Sequence, residues 1–253
     1  MFEWWWAFVA QVVVFHISMI CYTVYLHRCL AHRSFHVTNL GEHVFRFLLW
    51  FCSGRIVQGQ EKLWAAFHRR HHKYSDTEDD QQSPYQYTFK QFMTSKQDKP
   101  GQAAYISPAD VKKYSQDLNP KQYWMDGNIY CKYPNAGLYM LWIGYTIVSG
   151  LPGFILGMIY RFYPHGLGSV IRFYIGHKIA GYRYVKDKKG DLSRNVGPWG
   201  IVFGGEELHE NHHLEPGNPT FSHRWYEFDI GYAYTFLFRA IGMLKLADPR
   251  HTK

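Results

Sequence analysis

Three histidine clusters, each beside an apolar stretch, constrain the fold of this chain more than any other feature. They are His27 with His32, His68 with His71 and His72, and His209 with His212 and His213. In the second and third clusters the histidines stand at i, i+3 and i+4, which on a helix share one face, one turn apart. Three imidazoles on one face can converge on a metal. His27 and His32, five apart, lie about 140° apart on a regular helix. They reach two separate ions, or a single ion if the helix frays there. One H-x-x-H-H string alone is compatible with a solvated surface. Two of them with an H-x-x-x-x-H pair point to a metal site. Imidazole suits zinc, copper, iron and nickel alike, so ligand type does not choose the metal. His36, His43, His165, His223 and His251 show no ligand spacing. His16 lies in mid-stretch, where a polar group needs a reason.

The apolar stretches set the environment. Trp4 to Tyr25 is a run of 22 residues without Asp, Glu, Lys or Arg, and about 20 such residues span a bilayer as a helix. A signal peptide fits poorly, because Glu3 precedes the run and no small-residue cleavage site follows it. Trp4-Trp5-Trp6 suits an interfacial anchor, and Arg28 and Arg33 after the run place the His27 end on the cytoplasmic side. Residues 40–59 are apolar but carry Arg46 and Arg55, and are expected to lie in the interface or packed on the core. Residues 61–132 are polar and read as cytoplasmic. Tyr133 to Tyr160 has 28 uncharged residues, broken by Gly150-Leu151-Pro152-Gly153, a hairpin turn by composition. If all clustered histidines meet on one side of the membrane, the chain between His72 and His177 crosses it zero or two times. A hairpin over 133–176 turning near Pro152 satisfies that condition, with 178–253 cytoplasmic. The expected fold is one all-α integral membrane domain over 1–253. It has about three transmembrane helices (4–25 and the hairpin), an interfacial helix at 40–59 and a cytoplasmic helical cap carrying the metal site.

Composition narrows the function further. Aromatic residues make up 19% of the chain, suited to a bilayer interface, while a mean hydropathy of −0.33 requires a large polar portion outside the bilayer. The net charge of +8 comes without a run of five basic residues. That argues against nucleic acid and for a basic face over anionic headgroups. The four cysteines form no C-x-x-C pair, which argues against a thiolate metal site and a disulfide framework.

The strings Tyr25-Leu-His-Arg-Cys-Leu-Ala-His-Arg-Ser-Phe35, Phe67-His-Arg-Arg-His-His-Lys-Tyr-Ser-Asp76 and Gly204-Gly-Glu-Glu-Leu-His-Glu-Asn-His-His213 resemble the three histidine boxes of the membrane fatty acid desaturases, most closely the bacterial delta-9 branch. Thr77–Asp80, Tyr133-Pro-Asn135, Gly181-Tyr-Arg183, Pro198-Trp-Gly200 and Trp225–Gly231 extend the resemblance over nearly the whole chain. It implies two irons held by the eight box histidines and a ninth shortly before the Gly-Tyr-Arg string, here His177. The chain departs from the family pattern in three places. His177 stands four residues before Gly181 rather than three, Phe173 occupies a position often held by asparagine, and Asp80-Gln81-Gln82 replaces Asp-Pro-His.

The resemblance further implies oxygen as co-substrate and a cis double bond inserted into a fatty acyl chain at the delta-9 position. Zinc has no redox chemistry for this. The acyl chain arrives on coenzyme A, a carrier protein or a membrane lipid. Electrons come from a separate ferredoxin-, rubredoxin- or cytochrome b5-like protein. Expected ligands are His27, His32, His68, His71, His72, His177, His209, His212 and His213. Asp76, Asp80, Glu206, Glu207 and Asn211 are expected to orient imidazoles through their second ring nitrogen. Trp64 and Tyr74 are candidates to line the acyl tunnel. Arg28, Arg69, Arg70 and Lys73 are candidates to meet a headgroup, a coenzyme A phosphate or an acidic donor. A related fatty acyl hydroxylase, or a metal-binding membrane protein without turnover, shares this ligand set.

Overall fold

The computed structural model describes residues 2–54, 60–90, 105–162, 170–185 and 190–247, without the side chains of 2–3, 161–162 and 170–173. Arg55, Pro164-His165-Gly166 and His251 therefore lie outside the described residues, as does the side chain of Phe173. Among the described residues the fold is all-α, with four strands of two or three residues acting as clips.

Helix α1 (Phe2–Cys21) runs without a break into a wider, π-type helix (Tyr22–Ala31). Trp4–Ala31 is 28 residues long and apolar enough to cross a bilayer. At 1.5 Å per residue it reaches about 42 Å, longer than a hydrocarbon core of about 30 Å. Helix α2 (Asn39–Ser53) starts where the Thr38 hydroxyl accepts the Gly41 N–H at 3.2 Å and stops at left-handed Gly54. Tyr25 stacks on Phe45 at 5.5 Å, in a core shared by α1, α2 and the carboxy-terminal segment. Arg46 does not reach an interface. It is buried, 3.0 Å from Glu61, 2.5 Å from Asp126 and 3.1 Å from the Tyr25 hydroxyl.

The second apolar segment, Ala136–Tyr160, is also of spanning length. It belongs to α5 (Ala136–Phe162), but the chain reverses inside it at Gly150, with φ 58° and ψ −135°. The Trp142 indole N–H donates to the Phe154 carbonyl at 2.9 Å, although residues twelve apart on a straight helix lie about 18 Å apart. The reversal falls two residues before Pro152. Each arm, at roughly 18–21 Å, is shorter than the hydrocarbon core. By length and composition two segments among the described residues qualify as spans, the second of them folded back on itself, where three spans were expected.

The polar elements gather at the His27 end. They are α3 (Gln60–Tyr74), the short α4 (Pro108–Tyr114) packed on it, and α6 (His209–Leu214). Helix α7 (Ile230–Ala240) is capped by Asp229, which accepts the Tyr232 N–H at 3.0 Å. Strand β1 (Phe35–Val37) pairs antiparallel with β4 (Leu244–Leu246), and β2 (Trp199–Gly200) pairs parallel with β3 (Phe228–Asp229). These clips tie the chain's end to the start of α2 and hold the loop before α6 against α7.

Candidate metal centre

Nine histidines from four helical segments and the loop end after Ala31 come together in two adjoining groups. The first contains His27, His32, His68, His72 and His212, and the second His71, His177, His209 and His213; within each, the ligand atoms lie within 4.8 Å of one another. In the first group Nε2 faces Nε2 repeatedly. The separations are 2.8 Å for His27–His68, 2.9 Å for His27–His212, 2.9 Å for His32–His68, 2.9 Å for His68–His72 and 2.8 Å for His72–His212. In the second, His177 and His209 face each other at 2.8 Å.

Helix geometry explains the division. His68 and His72, at i and i+4, point to one group, while His71 at i+3 points to the other. On α6 the pattern is mirrored, with His209 and His213 together and His212 apart. His27 and His32 join a single group because the helix between them is π-type. The His32 N–H bonds to the His27 carbonyl at 3.1 Å, an i→i+5 contact, which stacks residues five apart instead of splaying them. A second π-type helix, Val170–Ile179, carries His177, and the Ala180 N–H bonds to the Ile175 carbonyl at 3.3 Å. That wide turn absorbs the extra residue between His177 and Gly181.

Buried carboxylates hold the other ring nitrogen of four histidines. Nδ1 of His27 lies 2.6 Å from Glu206, that of His71 2.9 Å from Asp80, that of His177 2.6 Å from Asp76 and that of His213 3.2 Å from Asp191. Of the five expected orienting residues, Asp76, Asp80 and Glu206 make such contacts. Glu207 instead accepts the Phe203 N–H at 2.9 Å, and burial raises its carboxyl to about 7. Asn211 ties Asn195 to Glu227 and to the Phe221 carbonyl. Asp191 was missed, because it stands outside the three strings and only the fold carries it to His213. Gln82, in one of the departing positions, donates to the Phe67 carbonyl at 3.1 Å and braces α3.

Burial, aided by neighbouring imidazoles, holds His68, His72 and His212 well below the usual histidine range. His213 falls to about 4 by burial, despite Asp191. Burial also opposes charge on His71, but Asp80 outweighs it and raises that imidazole. These histidines are mostly neutral lone-pair donors near neutral pH. In the tautomer that donates Nδ1–H to Glu206, the His27 ring turns a Nε2 lone pair toward His68 and His212. A cation between them satisfies all of these atoms. Nε2–Nε2 separations of 2.8–3.4 Å between neighbouring rings turn these atoms toward one point. Five imidazoles exceed the four ligands of a structural zinc site. Two dications carry four charges, and four carboxylates touch the ring nitrogens. Residues and charge thus fit two metal ions of the kind a di-iron centre uses.

Trp64 stacks on His68 at 5.2 Å and walls the first group, whereas Tyr74 lies at the surface near Lys73 and Arg70. The basic candidates divide as well. Arg28 is fully buried, 2.6 Å from Asp229 and over the Phe221 ring, so it meets neither headgroup nor donor. Arg69 is committed to the Leu30 and Ala31 carbonyls and to Asp117, and Arg70 to the Asp79 carbonyl. Lys73 remains at the surface. His16, His36, His43 and His223 lie outside both groups.

Known proteins are similar to this chain in sequence. A sn-1 stearoyl-lipid 9-desaturase of Synechocystis sp. is 27% identical over 88% of this chain and 65% of its own length. A Delta-9 acyl-lipid desaturase 2 of Arabidopsis thaliana is 26% identical over 87% of this chain and 68% of its own. An icosanoyl-CoA 5-desaturase of Limnanthes douglasii is 27% identical over 87% and 59%. The chain thus spans about two thirds or less of the length of these relatives. The fatty acid desaturase family model matches residues 3–233, a stretch that holds every histidine of both groups, and the chain belongs to that family.

Proposed function

We propose that this chain is an oxygen-dependent fatty acyl desaturase that inserts a cis double bond at the delta-9 position, its two irons held by the nine grouped histidines. One observation carries the reading: five and four imidazoles converge on two adjoining points, backed by four buried carboxylates. When bound there, two irons supply the oxygen-activating redox chemistry that removes two hydrogens from an unactivated methylene pair, given two external electrons. The chain's own residues hold, orient and dry the site. His27, His32, His68, His72 and His212 hold one ion, and His71, His177, His209 and His213 the other. Glu206, Asp80, Asp76 and Asp191 fix the ring tautomers and balance charge. Trp64 excludes water on one side. A cavity of about 310 Å³ is lined by Leu30, Phe35 and Leu118 together with Arg33, Glu61 and Asp117, and none of the nine histidines lines it.

The delta-9 position follows the names of two relatives, while the third is named for position 5. Membrane residence rests on the two apolar segments, with the metal site on the cytoplasmic face. Electrons come from a separate electron-transfer protein.

Expression in a host lacking its own desaturase, with metal analysis and gas chromatography of the lipids, tests the reading. The expected result is two irons per chain and a new cis-monounsaturated acid. A hydroxy acid without alkene would convert the reading to a hydroxylase. Bound iron with unchanged lipids would leave a metal-binding protein without turnover. Zinc, or no metal, would sink the di-iron centre.

A further inference from the structure

Helix α7 is apolar on two opposite faces. Inward, Phe238 meets Phe45 edge-on at 5.2 Å, and the Tyr234 ring lies 5.7 Å from His16. Outward stand Ala233, Phe236, Leu237, Ala240 and Ile241. Their spacing of i, i+3, i+4, i+7 and i+8 is that of a face meant to be covered. Yet Phe236, Leu237 and Ile241 are each more than half exposed, at 53%, 51% and 51%. The helix's one charged residue, Arg239, leans over Phe236.

Depth along α1 identifies what covers this face. His16 lies nine residues before Tyr25, the end of the uncharged run, or about 13 Å inside it. The loop before α6 reaches the same level. Phe203 packs edge-on against Phe15 at 5.8 Å, and its neighbours Ile201 and Val202 are exposed. Two separate parts of the carboxy-terminal segment thus lie beside the span at hydrocarbon depth, each presenting apolar side chains outward.

We propose that the outer face of α7, with Ile201 and Val202, is embedded in the bilayer leaflet next to the metal site. This rests on reading α1 as a membrane span, and it takes into lipid a part of 178–253 expected to be cytoplasmic. The geometry gives the embedding a purpose. Asp229 caps α7 and pairs with Arg28, the residue after His27. A helix anchored in the leaflet therefore sets the height of the histidine groups above the acyl chains.

Spin labels on the full chain in phosphatidylcholine–phosphatidylglycerol vesicles test this. They are placed singly by Leu237→Cys, Ile241→Cys, Val13→Cys and Lys112→Cys in a Cys131→Ser background. Val13 is exposed on α1 and Lys112 on α4. Collisions with oxygen, which concentrates in lipid, are compared with collisions with a water-soluble nickel chelate. Labels at 237 and 241 are expected to show an oxygen-to-nickel ratio several-fold above that at 112 and close to that at 13. The proposal is overturned if both follow 112 while 13 stays in lipid, an outcome that leaves the span intact. It is equally overturned if both are shielded from either agent, the mark of a second copy or another protein on this face. If 13 itself follows 112, the membrane reading falls with it. Position 241 is read independently should Leu237→Cys not fold.

Discussion

Arg28 stands one residue after His27, and its charge suggests a surface role, yet the fold encloses it completely. Asp229, the Pro219 carbonyl and the Phe221 ring take its guanidinium. Removing one member of such a buried pair strands the other, at a cost of about 3–5 kcal/mol. Arg28→Ala is therefore expected to unfold at much lower temperature than the parent, and a Tm within a degree or two would show that the pair contributes little. The carboxylates behind the histidines give a second expectation. Glu206→Gln and Asp191→Asn keep size and lose charge, and should weaken metal binding by roughly 10- to 100-fold, as read by competition with a chelator of known affinity. His71→Ala and His212→Ala, one in each group, should each abolish product formation. Turnover retained by either would remove that residue from the ligand set. At this scale the histidines were legible because their spacing is local. Asp191 was not, since its contact with His213 joins residues 22 apart in sequence.

Helical repeat is the quantity that matters at the scale of elements. Regular α geometry separates His27 from His32, and the π-type turn reunites them. A residue pattern alone does not announce such a turn, because the same ten residues are compatible with either winding. The strings at 68–72 and 209–213 needed no such correction, yet each divides between two groups. The i+3 and i+4 positions diverge by about 100°, enough to address neighbouring ions. The hairpin depends on a single backbone conformation. Gly150 has φ 58° with ψ −135°, a combination close to the region reserved for glycine, and a side chain there costs about 1–3 kcal/mol. Gly150→Ala should lower the Tm in detergent by several degrees without changing iron content per folded chain. An unaffected Tm would mean that the reversal lies elsewhere.

For the whole molecule, the metal site and the stability of the fold are linked. Ions that bind only the folded chain add to its stability, so chelation should lower the Tm, and restoring ferrous iron should recover it. The metal-free protein should also be acid-sensitive. Burial depresses His68, His72 and His212 in the folded state, so below about pH 6.5 the unfolded chain binds more protons than the folded one. Stability is then lost as pH falls through that value. Thermal scans of chelated protein at pH 7.5 and 5.5 measure the effect, and equal Tm values would contradict the burial of these rings. Taken alone, the order of residues determined the helical class, the apolar runs and eight of the nine grouped histidines, because amphipathic spacing and ligand spacing are local patterns. The neighbourhood of each residue was decided only by tertiary packing. Which histidines share a group, which carboxylate backs each ring, that Arg46 and Arg28 turn inward, and that α7 lies beside α1 all depend on contacts between distant segments. Burial and neighbouring charge, which set what a polar group does, exist only once those segments have met.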